Sequence, residues 1–68
     1  MAEQLRSILR RKQVQALTGL SRSSLYERIK RREFPPPVRL GARAVGWASD
    51  EIDAWIADRI AQSRKAAP

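Results

Sequence analysis

Arg22, Ser23, Tyr26, Glu27 and Lys30 recur at spacings that place polar groups on one side of a helix, and Arg39 and Arg43 follow within twenty residues. Bond-making chemistry does not suit this set. The chain has no histidine and no cysteine, so the commonest general base, the usual zinc ligands and any disulfide are absent. Ser21, Ser23 and Ser24 therefore have no histidine to activate them. Asp50, Glu51 and Asp53 are accounted for as the acidic first turn of a helix, and no glycine-rich loop has phosphate-cradling spacing. No enzyme activity, metal or cofactor is expected. What remains is recognition: hydroxyl, phenol and guanidinium groups on a face that carries one large aromatic, Tyr26, where a wet surface has little use for one.

Charge indicates the partner. The 68 residues hold 14 basic and 7 acidic side chains, a net of +7 with a pI near 11.4. Residues 1–48 carry 11 basic and 3 acidic groups, whereas residues 49–68 carry 3 and 4. A positive field confined to the first part of the chain favours a polyanion, with nucleic acid ahead of an acidic membrane or protein surface. The length allows one domain near the lower limit for folding on a hydrophobic core alone. No apolar run approaches the roughly 20 residues of a membrane span. The first twelve residues, MAEQLRSILRRK, lack the apolar core of a signal peptide. A cytoplasmic, nucleoid-associated protein is expected.

The elements that must position these side chains start with residues 13–32, QVQALTGLSRSSLYERIKRR. A first helix is expected over Arg11–Thr18 with Val14 and Leu17 inward. It has no good N-cap and is closed by Gly19 in a left-handed conformation. Ser21 caps a second helix, with Leu20 and Leu25 at the spacing of a hydrophobic staple. Leu25 and Ile29 form its apolar face, Ser23, Tyr26, Glu27, Lys30 and Arg31 lie opposite, and Arg22 is at the edge. Two helices hinged at a glycine are the pattern of a helix-turn-helix, in which the N-terminal turns of the second helix reach base edges. A plain helical hairpin has the same pattern. Ahead of the pair, Ile8 and Leu9 are the first core residues, in a short extended segment. The cluster Arg10, Arg11 and Lys12 reads equally as solvated surface or as phosphate contacts.

Pro35, Pro36 and Pro37 end the second helix by about Glu33 and form a stiff connector. Val38-Arg39-Leu40 and Val45-Gly46-Trp47 alternate as two strands around a loop at residues 41–44. In that hairpin Val38, Leu40, Val45 and Trp47 face the core, Arg39 and Arg43 lie outside, and Arg43 is near the tip. A last helix, capped by Ser49, buries Ile52, Trp55, Ile56 and Ile60. The fold class is mainly α with a small β-hairpin. Residues 1–7 are expected to be a frayed tail, 8–62 the domain and 63–68 a disordered tail.

In order along the chain, Leu17-Thr18-Gly19-Leu20-Ser21-Arg22-Ser23, Tyr26, Phe34-Pro35, Val38, Leu40-Gly41, Arg43-Ala44-Val45-Gly46-Trp47 and Asp53-Ala54-Trp55-Ile56 resemble the AlpA-type prophage regulators. The resemblance runs from about residue 9 to residue 60. It implies a minimal winged helix-turn-helix, similar to the MerR and excisionase domains, that binds double-stranded DNA. It also implies a transcriptional activator, often of an integrase gene, or an excisionase-like directionality factor. By this resemblance the helix after Ser21 enters the major groove, residues 38–47 form the wing, and Arg43 matches a wing-tip arginine. Gln13 departs from the pattern, which commonly has an acidic residue there.

The expected DNA-binding residues are Arg22, Ser23, Tyr26, Glu27 and Lys30 on the recognition helix and Arg39 and Arg43 on the wing. Arg10, Arg11, Lys12 and Arg31 are candidate phosphate contacts. The competing reading is a basic protein-interaction adaptor, an integrase partner or antitoxin-like inhibitor. A domain of this size offers limited contact area on DNA. A free monomer that assembles cooperatively on repeated sites, with an integrase as a further partner, is therefore expected.

Overall fold

The computed structural model describes residues 7–66, which contain, in chain order, β1 (Ile8–Leu9), α1 (Arg11–Thr18), α2 (Arg22–Lys30), β2 (Val38–Arg39), β3 (Val45–Ala48) and α3 (Ser49–Ala66). Mainly helical with a small hairpin, this is a minimal winged helix-turn-helix. Residues 1–6 of the expected N-terminal tail lie outside the described residues.

α1 has the expected bounds and α2 starts where expected, after Ser21, and the turn between them is held by side chains. Gly19 has φ 76° and its N–H donates to the Gln15 carbonyl at 2.8 Å. The Thr18 hydroxyl donates to the Val14 carbonyl (2.8 Å) and accepts from the Leu20 N–H (3.3 Å), so it bridges helix and turn. Ser21 caps α2 by accepting from the Ser24 N–H at 3.1 Å. The start of α1, which has no capping side chain at Arg10, is closed from inside the helix. Gln13 Oε1 accepts from the Arg10 N–H at 2.8 Å, the return half of a capping box. The residue that departs from the family pattern thus fixes the first turn.

α2 ends earlier than the prolines alone require. Arg32 sits at φ 63°, its N–H donates to the Ile29 carbonyl (3.0 Å) and the Glu33 N–H donates to the Arg28 carbonyl (2.8 Å). That pair of bonds is a Schellman closure, with arginine at the left-handed position usually held by glycine. The connector beyond it is anchored by both tryptophans. Trp55 Nε1–H donates to the Glu33 carbonyl at 2.9 Å and Trp47 Nε1–H to the Pro35 carbonyl at 3.1 Å.

The sheet differs from the expected two-stranded hairpin. It has three antiparallel strands in the order β1-β3-β2, because Ile8 and Leu9 pair with Ala48 and Trp47. Ser7, placed in the tail by the sequence, extends this pairing: the Ser49 N–H donates to its carbonyl (2.8 Å) and its own N–H donates to Ser49 Oγ (3.0 Å). The hydroxyl expected to cap α3 thus serves the sheet edge.

Register also corrects the faces. Val38 pairs with Gly46 and Arg39 with Val45, and directly paired residues share a face. Trp47 and Val45 point to the core, so Val38 and Leu40 lie on the outer face with Gly46 and are 41% and 44% exposed. Arg39, expected outside, shares the side of Val45 at the sheet edge. Ile8, expected in the core, is exposed on the outer face beside Gly46, where it fills the space a Cβ would take.

The core is Val14, Leu25, Phe34, Trp47 and Ile52, one residue from each of α1, α2, the connector, β3 and α3. Phe34, which the sequence shows only as the residue before the prolines, packs edge-on against Trp55 at 4.8 Å between ring centroids. Leu17 and Ile60, both expected inside, are 54% and 47% exposed. Leu17 lies at the end of a two-turn helix, and Ile60 lies on the outer part of α3, where every residue from 57 to 65 is exposed. α3 itself continues to Ala66, into the stretch 63–68 expected to be disordered, of which residues 67 and 68 lie outside the described residues.

Candidate nucleic-acid interface

α2 presents its polar side to solvent as the spacing requires. Arg22, Ser23, Tyr26, Glu27 and Lys30 are exposed, while Leu25 is fully buried and Ile29 half-buried. The 100° advance per residue and the inward pull of Leu25 set this orientation. Arg22 and Ser23 stand in the first turn, over the end where unpaired backbone N–H groups give α2 a positive pole.

One concavity joins three separate elements. Arg10, Arg11 and Lys12 at the start of α1, Tyr26 from α2, and Arg43 with Val45 from the wing line an open groove of about 410 Å³. None of its lining residues is acidic. The loop carrying Arg43 is closed by the Leu40 and Gly41 N–H groups, which both donate to the Ala44 carbonyl (2.8 and 3.2 Å). Arg11 differs from its neighbours. It is half-buried, and its Nε is enclosed with no hydrogen-bond partner among the described residues. The pattern of charges along the sequence does not distinguish it from Arg10 or Lys12.

Other expected site residues stand apart from this groove. Glu27 and Arg31 pair with each other, Arg31 Nε donating to Glu27 Oε2 at 3.1 Å one helical turn away. They line a second, smaller concavity with Ser24, Arg28 and Glu33, where Arg28 and Glu33 stand 4.0 Å apart. The acids there offset the arginines, so this surface has a much weaker positive field. Lys30 is exposed at the far end of α2, and Arg39 is exposed on the edge strand β2. Val45, assigned to the core, contributes to the groove as well. No group of residues among those described is placed to hold a metal, and no described helix is long and apolar enough to cross a membrane.

Residues 7–60 match the family described as prophage CP4-57 regulatory protein (AlpA). The chain is 49% identical over 57 residues to the uncharacterized protein ORF88 of Enterobacteria phage P4, an overlap covering 84% of this chain and 65% of that one. It thus spans just under two thirds of that relative. Over 58 residues it is 34% identical to the DNA-binding transcriptional activator AlpA of Escherichia coli (strain K12), covering 76% of this chain and 83% of the relative. No solved structure matches the chain.

Proposed function

The chain belongs to the AlpA family of prophage regulatory proteins, and from that premise we propose that it is a small, non-enzymatic, DNA-binding regulator of transcription on a prophage or related integrated element. The observation that carries this reading is the groove in which cations from the start of α1 and from the wing meet Tyr26 of α2 with no acid among them. A helix-turn-helix used only for packing has no need to gather charges from residues 10–12 and from Arg43, far along the sequence. Duplex DNA, with its regular phosphates, is the polyanion such a surface fits.

In this reading the first turns of α2 enter the major groove. Arg22 and Ser23 face base edges, and Tyr26 stands at the border between them and the basic groove. Lys30, Arg39 and Arg43 hold the backbone on either side. Activation of transcription is the proposed output, because one relative bears the name of a transcriptional activator. An integrase or excision gene is the target proposed from the family resemblance. An excisionase-like architectural role uses the same contacts. The free protein is proposed to be a monomer that adds side by side on repeated sites, with an integrase as a further partner.

Binding to duplex DNA, followed by anisotropy across a salt series, tests the reading. Neutralising about five phosphates gives a log–log slope of roughly −4 to −5. A flat response would sink it and favour a protein partner for the basic surface. Arg22→Ala should erase preference for the DNA flanking its own gene over random sequence. Lys30→Ala or Arg43→Ala should weaken both duplexes alike. If both kinds of variant bind as the parent does, the residue assignment is wrong. A tight dimer in sedimentation of the free protein would remove the monomer proposal.

A further inference from the structure

We infer that the groove between the start of α1 and the wing is the seat of a single backbone phosphate, and that Arg11 is the side chain built in to hold it. The inference rests on the DNA-binding reading and assigns one residue a role that its neighbours do not share. Arg10, Lys12 and Arg43 line the groove as ordinary surface cations, each of which water can solvate. Arg11 is placed differently: half-buried, with Nε enclosed and without an acceptor among the described residues.

A guanidinium stays charged and has five N–H donors in a rigid fork. Enclosing one donor without an acceptor destabilises the free fold, since the group gives up water and gains nothing. The same placement restrains the side chain before any ligand arrives, and Arg11 is one of the residues lining the groove. The surroundings specify the charge of that ligand. Three further cations, the positive end of α1 and the absence of acids from the lining all call for an oxyanion. Within α1 the N–H groups of Arg11, Lys12 and Gln13 have no helical partner, the first such bond running from the Val14 N–H to the Arg10 carbonyl at 3.0 Å. Tyr26, whose phenol is a neutral donor, lines the groove from the α2 side. The groove is open, as a phosphate with sugars continuing on both sides requires. Such a seat would set the register of α2 against the wing.

Arg11→Met in the full chain tests this, because methionine keeps an unbranched stem and removes every donor. The free variant should melt no lower than the parent, since an unpaired buried donor has gone. Its affinity for a random-sequence duplex should fall about tenfold, the worth of one charge-assisted contact. The log–log salt slope should become shallower by about one. Arg11→Lys, which keeps the charge, should recover the slope. A Met variant that melts lower and binds duplex with the parental slope would make Arg11 a structural residue and overturn the inference. So would inorganic phosphate that raises the parental midpoint through Arg11 while the duplex slope stays unchanged in the variant, since the seat would then serve a free anion. A parent that binds no duplex removes the DNA-binding reading and this inference with it. Duplex binding at unchanged slope in the variant removes the inference alone.

Discussion

Arg32 holds a backbone shape that glycine adopts without strain. At φ 63° its Cβ crowds the chain, and the two Schellman bonds from the Arg32 and Glu33 N–H groups keep it there. Arg32→Gly should therefore stabilise the free protein by about 1 kcal/mol, read as a rise of roughly 4–8 °C in a thermal melt of a domain this size. A fall in midpoint would mean that the arginine side chain contributes more than its backbone costs. Gly46 is the opposite case. A Cβ there would collide with Ile8 Cγ2 and come within 3.1 Å of the Leu9 carbonyl oxygen, so β1 must move away from β3. Gly46→Ala should cost about 1–3 kcal/mol and lower the midpoint accordingly; an unchanged melt would show that β1 is only loosely paired. The sequence foretells neither site fully. Gly19 is legible as a helix stop because a second helix start follows at once. Arg32 is not, because nothing in its chemistry favours a left-handed backbone, and only the paired carbonyls of the finished helix do.

At the scale of elements, the helical pair was legible almost to the residue, and the sheet was legible only as a hairpin. Helix bounds follow from local signals such as Ser21 and Gly19, which act within a few residues of themselves. Strand faces depend on which residue pairs with which. The alternation of Val38-Arg39-Leu40 is the same whether its apolar residues face in or out, and the register Val38 to Gly46 turns them out. The third strand escapes notice because two residues, Ile8 and Leu9, carry too little pattern without their partner β3. Of the candidate site, the polar face of α2 and the wing-tip Arg43 were readable from spacing. The gathering of Arg10, Arg11 and Lys12 beside them was not, since it depends on how α1 meets the wing. The start of α1 is itself testable. Gln13→Ala removes the acceptor of the Arg10 N–H and should cost about 0.5–1 kcal/mol. Gln13→Glu keeps that acceptor and adds a charge suited to the positive helix end, so its melt should match or exceed the parent's. Equal melts for parent and Ala variant would show that water replaces the bond without loss.

Across the whole molecule, stability is unevenly spread. The radius of gyration is 13.2 Å, against about 11 Å for a compact chain of this length, and α3 runs on well past its last buried residue. Ile52 is buried and Trp55 and Ile56 are half-buried, but from Ala57 to Lys65 every residue is exposed. The outer part of α3 thus relies on its own backbone bonds and on local pairs such as Gln62 Nε2–H donating to Asp58 Oδ2 at 3.0 Å. Helices shorter than roughly 12–15 residues are marginal in water without packing, so this end should fray while the body stays closed. Amide hydrogen exchange should separate the two. The N–H groups of Trp47 and Ile56 should open only with global unfolding, and those beyond Ile60 should exchange orders of magnitude faster. Removing residues 62–68 should then shift the melt by no more than about 2 °C, because residues 62–65 are all exposed and bury almost no apolar area. Uniform protection along α3, or a truncation that lowers the midpoint in a concentration-dependent way, would show the exposed Ile60 face to be covered by a second copy in solution. The monomer proposed for the free protein would then be wrong, and side-by-side assembly would begin before DNA is met.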